Sequence, residues 1–223
     1  MTEETTDVML VRKHRLATRW FHWVNFPALT IMIWSGLLIY WANRAYHLGP
    51  YMLFSDKLYD KAGMSSRLAE GMAWHFFFMW FFSINGLLYV LYTWFSGEWR
   101  ELLPNRHTLK ESIHVVLHDL HLTKKPLPKS KFNGAQRIAY TGIVIMGFFS
   151  LLTGIAVYKP TQFAWLSAPI GGYQNARFIH FWLTMGYVVF FVIHVLQVLR
   201  AGWNNFRSMI TGYELAPVEE VAQ

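Results

Sequence analysis

Four long apolar stretches set the limits on what this chain can fold into. They cover about residues 20–41, 72–95, 138–158 and 178–199, and none of them contains Asp, Glu, Lys or Arg. Each is long enough to cross a hydrocarbon core of about 30 Å as a helix. Because backbone polar groups inside lipid must be satisfied within the segment, helices are the expected form. The sequence therefore predicts an all-α membrane protein, built as a bundle of four transmembrane helices.

The remainder of the chain leaves no room for a separate soluble domain. The chain has 223 residues, of which 54% are apolar and 15% are charged. Residues 1–223 are expected to form a single integral membrane domain with a disordered polar tail over residues 214–223. The N-terminus lacks a short apolar core followed by a cleavage site, so no cleaved signal peptide is expected. The absence of cysteine excludes thiolate-ligated clusters and disulfides.

Lysine and arginine are distributed unevenly around the four stretches. Fourteen lie before the first stretch, between the second and the third, or after the fourth, and six lie in the other two loops. Because these residues concentrate on the cytoplasmic side, both termini are predicted to be cytoplasmic, in the inner (plasma) membrane of a bacterium. The net charge of +7 follows from this orientation and from contact with anionic lipid. No nucleic-acid-binding motif accompanies the charge, so nucleic-acid binding is not expected.

Four histidines lie inside the apolar stretches. His180 and His194 share the fourth stretch, 14 residues apart, which is within about 40° of four helical turns and about 21 Å along the axis. Both rings are therefore expected on one face of that helix, one near each leaflet. The predicted topology puts His22 on the cytoplasmic side and His75 on the outer side. Depth in the membrane then pairs His75 with His180, and His22 with His194.

This arrangement of histidines favours two haems b held between the helices. An ionisable residue inside a membrane span indicates a functional site by default. Neutral imidazoles on both sides of one iron give a six-coordinate site, which suits electron transfer and leaves no open position for oxygen. Packing of the four histidines, a metal-ion site and a proton relay are the alternatives that the residues leave open.

Glycines and arginines near the predicted haems each have two interpretations. Arg19 and Arg177 lie near helix ends, where they would bind haem propionates or extend to lipid phosphates. Five glycines in the spans would let a flat macrocycle approach the backbone, or would serve helix packing: Gly36, Gly86, Gly147, Gly154 and Gly186.

Several short segments resemble a known superfamily. The run Arg19-Trp20-Phe21-His22-Trp23, the pair Trp74-His75 and the His180/His194 spacing are similar to the di-haem cytochrome b subunits of formate dehydrogenases, nickel–iron hydrogenases and thiosulfate reductases. In those subunits the corresponding positions bind two haems b. The resemblance covers about residues 10–212 and implies the same four ligands in this chain.

The segment before the third stretch also resembles that superfamily. Residues 131–137 read Lys-Phe-Asn-Gly-Ala-Gln-Arg, similar to an Asn-Ala-Gly-Gln segment beside the family's quinone site, with Gly and Ala interchanged. The resemblance implies that Asn133 and Gln136 bind quinone as an exchangeable substrate, and their amides suit a quinone carbonyl. Alternatively, Asn133 is a good N-cap residue, and Gln136 stands where a capping box would place it.

The finer likeness is to the thiosulfate reductase type of these cytochromes. Residues 71–75, 97–100 and 200–206 carry it. Cytochromes of that type are often coupled to molybdopterin enzymes. The likeness therefore implies a periplasmic redox subunit, molybdopterin-dependent, that docks on the outer loops at residues 43–70 and 159–177.

Three further histidines lie on a predicted amphipathic helix over residues 108–122, which is expected at the membrane interface. His114, His118 and His121 follow each other at i, i+4 and i+7, which is metal-ligand spacing on one helical face. Solvated surface histidines and proton delivery to a nearby quinone are the alternative interpretations.

The expected function is that of an electron-transfer subunit between the quinone pool and a periplasmic redox enzyme, with no catalytic side chain assigned. A stand-alone quinone-reactive cytochrome b without a partner subunit would share all four ligands. A transporter with a histidine relay and no haem belongs to a different class. No span is strongly broken by Gly and Pro in corresponding halves, as midplane transport sites prefer.

Overall fold

The computed structural model describes residues 8–42, 47–48, 51–126 and 132–218. These residues form eight α-helices, one 3-10 turn and four short strands. The helices are α1 (Leu16–Trp41), α2 (Asp56–Lys61), α3 (Leu68–Ser96), α4 (Trp99–Leu102), α5 (Thr108–Asp119), α6 (Gly134–Tyr158), α7 (Ala164–Ser167) and α8 (Tyr173–Thr211). The strands are β1 (Val8–Arg12), β2 (His47–Leu48), β3 (Tyr51–Met52) and β4 (Tyr213–Pro217).

Four of these helices are long and apolar enough to cross a membrane: α1, α3, α6 and α8. They contain the four predicted spans, so the prediction of an all-α, multi-pass membrane bundle is confirmed. Large apolar side chains point outward along them, as in Phe95, which is 82% exposed, and Leu199, which is 71% exposed. Lipid rather than protein covers such a surface in a membrane protein.

The bundle consists of two closely packed antiparallel pairs. Helix α1 lies along α3, and α6 lies along α8. Between α1 and α3 the backbones approach closely at Gly71, because a Cβ built there would lie 2.7 Å from Cβ of Leu38. Helix α8 joins the two pairs through contacts with α1, among them Phe26 with Phe191 and Tyr40 with Phe181. We call the end where α1 begins the near end and the end where α1 finishes the far end.

At the near end, α8 continues well beyond its membrane-spanning part. Gly202 has φ 81° and ψ 175°, a non-helical conformation that glycine tolerates. The helix is kinked at this residue. The following turns reach back to α1, where the indole nitrogen of Trp23 donates to the carbonyl oxygen of Met209 at 3.0 Å.

The described residues after this helix form a strand. Strand β4 pairs antiparallel with β1, with Val8 opposite Pro217 and Arg12 opposite Tyr213. A salt bridge of 2.5 Å between Lys13 and Glu214 supports the pairing. We expected a disordered tail from residue 214, but residues 214–217 find backbone partners in β1, and residues 219–223 lie outside the described residues.

Helix α5 is the predicted amphipathic helix, and it lies against the near end of α6 and α8. A Cβ at Gly134, the first residue of α6, would lie 2.5 Å from the carbonyl oxygen of Thr108. At the other end of α5, Arg200 donates to the carbonyl oxygen of Asp119 at 2.7 Å. Apolar Leu109 and Ile113 remain exposed, as expected for a helix that faces lipid.

At the far end, a small aromatic core covers the bundle. Tyr40, Tyr59 and Phe181 are buried, and Phe54 packs against them. Burial, and then the neighbouring Tyr40, raises the pKa of Tyr59 above its usual range, so its phenol stays neutral. This core ties the residues around α2 to α1 and α8.

Candidate haem sites

The structure brings the four histidines of the spans together as two pairs. At the far end, His75 of α3 faces His180 of α8, with ring centroids 6.2 Å apart and ring planes at 74°. At the near end, His22 of α1 faces His194 of α8, with centroids 6.1 Å apart and planes at 52°. These are the pairs expected from depth in the membrane.

Both separations fit a metal ion held between two imidazoles. Metal–imidazole bonds of about 2.0 Å and a centroid-to-nitrogen distance of about 1.2 Å give centroids about 6.4 Å apart on opposite sides of one ion. The donor set of neutral imidazole nitrogens also suits haem iron.

The far pair is held by hydroxyl groups from the two other long helices. The side-chain oxygen of Ser35 in α1 lies 3.0 Å from Nδ1 of His75. The side-chain oxygen of Thr153 in α6 lies 2.9 Å from Nδ1 of His180. Each far histidine is therefore held through Nδ1, which leaves Nε2 as the nitrogen available to a metal.

Two of the five glycines singled out above lie directly on the far imidazoles. A Cβ at Gly36 would be 3.5 Å from Cε1 of His75, and a Cβ at Gly154 would be 3.4 Å from Cε1 of His180. Gly186 instead faces Met146, where a Cβ would come within 2.7 Å, so its role is helix packing. A Cβ at Gly86 would have no neighbouring atom within 4 Å among the described residues.

The near pair has aromatic neighbours and an unsatisfied nitrogen. His194 stacks on Phe190 with centroids 5.8 Å apart and planes at 6°, and His22 meets Trp23 edge-on at 5.0 Å. Nδ1 of His22 is buried and has no hydrogen-bond partner within the described part of the chain. The two pairs therefore differ in how the protein supports the ligands.

Comparison with known proteins places the chain in one family. The model of the prokaryotic cytochrome b561 family matches residues 13–212, which includes all four long helices and both histidine pairs. The chain belongs to the prokaryotic cytochrome b561 family. A protein of Azospira oryzae, named as a putative protein-methionine-sulfoxide reductase subunit YedZ1, is 30% identical over 193 residues, which cover 86% of this chain and 92% of that protein.

Membership of this family confirms the coarse predictions. The chain is a membrane cytochrome b of an electron-transfer system, and haem b is the prosthetic group that the family implies. The finer likeness to thiosulfate reductase-type cytochromes stays a prediction.

The two arginines that were predicted to bind haem propionates lie at opposite ends of the cytochrome. At the near end, Arg19 donates through Nη1 to the carbonyl oxygen of Ile210 at 2.6 Å, while its buried Nε has no partner among the described residues. Arg207, in the same near-end segment, has buried Nε and Nη2 atoms that likewise lack a partner there. Sequence reasoning missed Arg207, because nothing local indicates that α8 folds back beyond Gly202.

Arg177 lies at the far end of the cytochrome, at the start of α8. Its Nη1 donates to the side-chain oxygen of Gln174 at 3.2 Å, and its guanidinium lies 5.5 Å from the ring centroid of Tyr173. Among the described residues, these contacts leave the other guanidinium nitrogens of Arg177 available to an acceptor such as a carboxylate or a phosphate.

Asn133 and Gln136 form the capping box that was the alternative to quinone binding. The side-chain oxygen of Asn133 accepts from the backbone nitrogen of Gln136 at 2.9 Å, and that of Gln136 accepts from the backbone nitrogen of Asn133 at 3.0 Å. The box uses the amide oxygens only, so it leaves the two amide nitrogens for another partner.

His114 and His118 of α5 and the following His121 do not come together as a metal site. Among the residues that the structure describes, no group of three or more His, Cys, Asp or Glu side chains has metal-binding geometry. His121 lies beyond the helix with φ 58°, which turns it away from the face shared by His114 and His118. Because the chain leaves its helical path there, the i, i+4, i+7 spacing is not realised in space.

Proposed function

We propose that this cytochrome carries two haems b and passes electrons across the membrane between quinone and a periplasmic redox partner. The observation that carries the proposal is the presence of two histidine pairs, with centroids 6.1 and 6.2 Å apart, at the two ends of one bundle. His22 and His194 would bind the iron at the near end, and His75 and His180 would bind the iron at the far end.

Helix α8 sets the distance between the two proposed sites, since it would supply one histidine to each. His180 and His194 lie in one continuous helical stretch, about 21 Å apart along its axis. When bound, the two irons supply reversible one-electron chemistry, and two strong imidazole ligands keep oxygen away from each iron. Apolar side chains around the pairs exclude water and so keep the surroundings of both sites at low dielectric.

Arginines would hold the haem carboxylates at the ends of the bundle. Arg19 and Arg207 suit the near site, because both carry buried guanidinium nitrogens without a partner among the described residues. A buried donor without a partner is costly, and a carboxylate would satisfy it with charge-assisted hydrogen bonds. Arg177 suits the far site, although lipid phosphate would satisfy it equally well.

Quinone would bind at the near end, beside Asn133 and Gln136. The capping box leaves both amide nitrogens as donors, and a quinone carbonyl is an acceptor. The exposed apolar face of α5 lies next to the start of α6 and would guide a lipid-soluble molecule to it.

The partner would dock at the far end, on residues 43–70 and 159–177; residues 43–46 and 49–50 lie outside the described residues. The name of the Azospira oryzae relative supports this assignment, because it describes a reductase subunit. We propose a molybdopterin-dependent periplasmic enzyme as the partner, with the near end and both termini cytoplasmic in a bacterial inner membrane.

Haem content of histidine variants tests the two sites. We expect two low-spin haems b in the wild-type chain and about one after replacement of His22, His75, His180 or His194 by alanine, because each change removes one of the two imidazoles that would hold that haem. A pyridine haemochrome assay on purified protein gives the count. The control is His107→Ala, which changes an exposed histidine outside the spans and should keep two haems.

Two results would contradict the proposal. One is a wild-type count of one haem or none. The other is a high-spin spectrum, which would mean that the iron lacks its second imidazole.

A further inference from the structure

Each of the two far-site histidines is contacted by a hydroxyl residue followed by glycine, on two different helices. Ser35-Gly36 of α1 contacts His75, and Thr153-Gly154 of α6 contacts His180. In each case the hydroxyl lies about 3 Å from Nδ1, while the glycine leaves room for Cε1. A Cβ on either glycine would be in van der Waals contact with the imidazole, so both residues of each dipeptide lie directly against the ring.

The direction of these hydrogen bonds follows from the other contacts of each hydroxyl. The hydroxyl of Ser35 donates to the carbonyl oxygen of Ile31 at 2.7 Å, and that of Thr153 donates to the carbonyl oxygen of Phe149 at 2.7 Å. A hydroxyl has one hydrogen, and with that hydrogen directed at the helix carbonyl its oxygen acts as the acceptor toward the imidazole. Nδ1 of each far histidine therefore carries the proton, and Nε2 keeps its lone pair for iron.

Water cannot replace these hydroxyls. Ser35 is 0% exposed and Thr153 is 3% exposed, so both hydrogen bonds lie in the dry interior. Nδ1 of His22, in the near pair, is buried without such a partner among the described residues. The support of Nδ1 by a helix hydroxyl therefore distinguishes both far histidines from His22 of the near pair.

We propose that Ser35 and Thr153 are positioning residues that fix the tautomer and orientation of His75 and His180 and tune the far haem. The proposal rests on the proposed function, in which these histidines bind iron. A hydrogen bond at Nδ1–H makes an imidazole a stronger electron donor to its metal, which stabilises ferric over ferrous iron. The two hydroxyls therefore lower the redox potential of the far haem.

A redox titration of purified protein in detergent tests this inference. Ser35→Ala and Thr153→Val each remove one hydroxyl, and the double variant removes both. In the double variant we expect the potential of one of the two haems to rise, with the ferrous form favoured about tenfold, or ~59 mV for a one-electron couple. The other haem should keep its potential, and the low-temperature EPR signal of the shifted haem should change because its imidazoles are free to rotate.

Two matched variants separate the hydrogen bond from packing. Thr153→Ser keeps the hydroxyl and should retain the wild-type potential. Thr93→Val removes a buried hydroxyl that donates to its own helix, to Tyr89, and should leave both potentials unchanged. If Thr153→Val loses one haem while Thr153→Ser and Thr93→Val keep two, the hydroxyl is required for ligation, which also supports the proposal.

The results that overturn the inference differ from those that overturn the proposed function. Unchanged potentials and EPR signals in a double variant that holds two haems would overturn the role of the hydroxyls. Equal loss of haem in Thr153→Ser would do the same, because the position would then matter for packing alone. A wild-type protein with fewer than two low-spin haems would instead refute the proposed function.

Discussion

At the scale of single residues, Asn133 combines a structural role with a proposed functional one. Its side-chain oxygen caps α6, which contributes about 1 kcal/mol to the helix terminus. Its amide nitrogen is outside the capping box and is the donor that we assign to quinone. Aspartate is as good an N-cap as asparagine but has no amide donor. Substitution by aspartate therefore separates the two roles.

We predict that Asn133→Asp keeps two haems and a folded protein but slows haem reduction by a quinol about tenfold. One lost hydrogen bond of about 1.4 kcal/mol, together with the added negative charge, accounts for that factor. Stopped-flow reduction by a soluble quinol analogue measures it. The control is Asn105→Asp, which makes the same change at the turn before α5. Its haems should be reduced at the wild-type rate. Wild-type kinetics in Asn133→Asp would remove Asn133 from the quinone site.

At the scale of elements, the start of α6 is tightly packed on α5. A Cβ at Gly134 would lie 2.5 Å from the carbonyl oxygen of Thr108 and 2.8 Å from the backbone nitrogen of Ser112. Neither backbone atom can move without shifting α5 as a whole. This contact explains why glycine precedes alanine in the segment at residues 133–136.

We predict that Gly134→Ala destabilises the protein by about 1–3 kcal/mol, the usual cost of overpacking. The melting temperature of the purified protein in detergent should fall accordingly. Gly142→Ala lies in the same helix, where a Cβ would meet nothing within 4 Å among the described residues, and should be neutral or slightly stabilising. Equal melting temperatures for Gly134→Ala and the wild type would show that α5 and α6 are not packed in this way.

At the scale of the whole molecule, pairing of β1 with β4 brings residues 8–12 and 213–217 together at the near end of the bundle. Four membrane crossings require the same result, because an even number returns the chain to its starting side. The excess of Lys and Arg predicts that this side is the cytoplasm.

We predict that an alkaline phosphatase fusion after Gln223 is inactive, while a fusion within residues 50–65 is active, because the enzyme folds only outside the cytoplasm. A green fluorescent protein fusion at each position should give the opposite pattern and serves as the control. An active phosphatase after Gln223 would reverse the assignment of the near end and place the quinone site at the outer face.

The sequence by itself determined the four spans, the four histidines and their pairing by depth. Hydropathy and helical periodicity are local properties, so the lengths of the spans and the 14-residue spacing of His180 and His194 can be read without a fold. The capping box at Asn133 and Gln136 was also readable, because its partners lie three residues apart.

Only the tertiary structure decided which side chains support those histidines. Ser35 is 40 residues from His75, and Thr153 is 27 residues from His180. Their hydrogen bonds exist because α1 lies along α3 and α6 lies along α8 at particular depths and rotations. The pairing of β4 with β1 and the burial of the Arg207 nitrogens likewise depend on tertiary structure. Both arise because the chain turns back toward α1 after Gly202. Contacts between distant segments are set by packing, which no local pattern encodes.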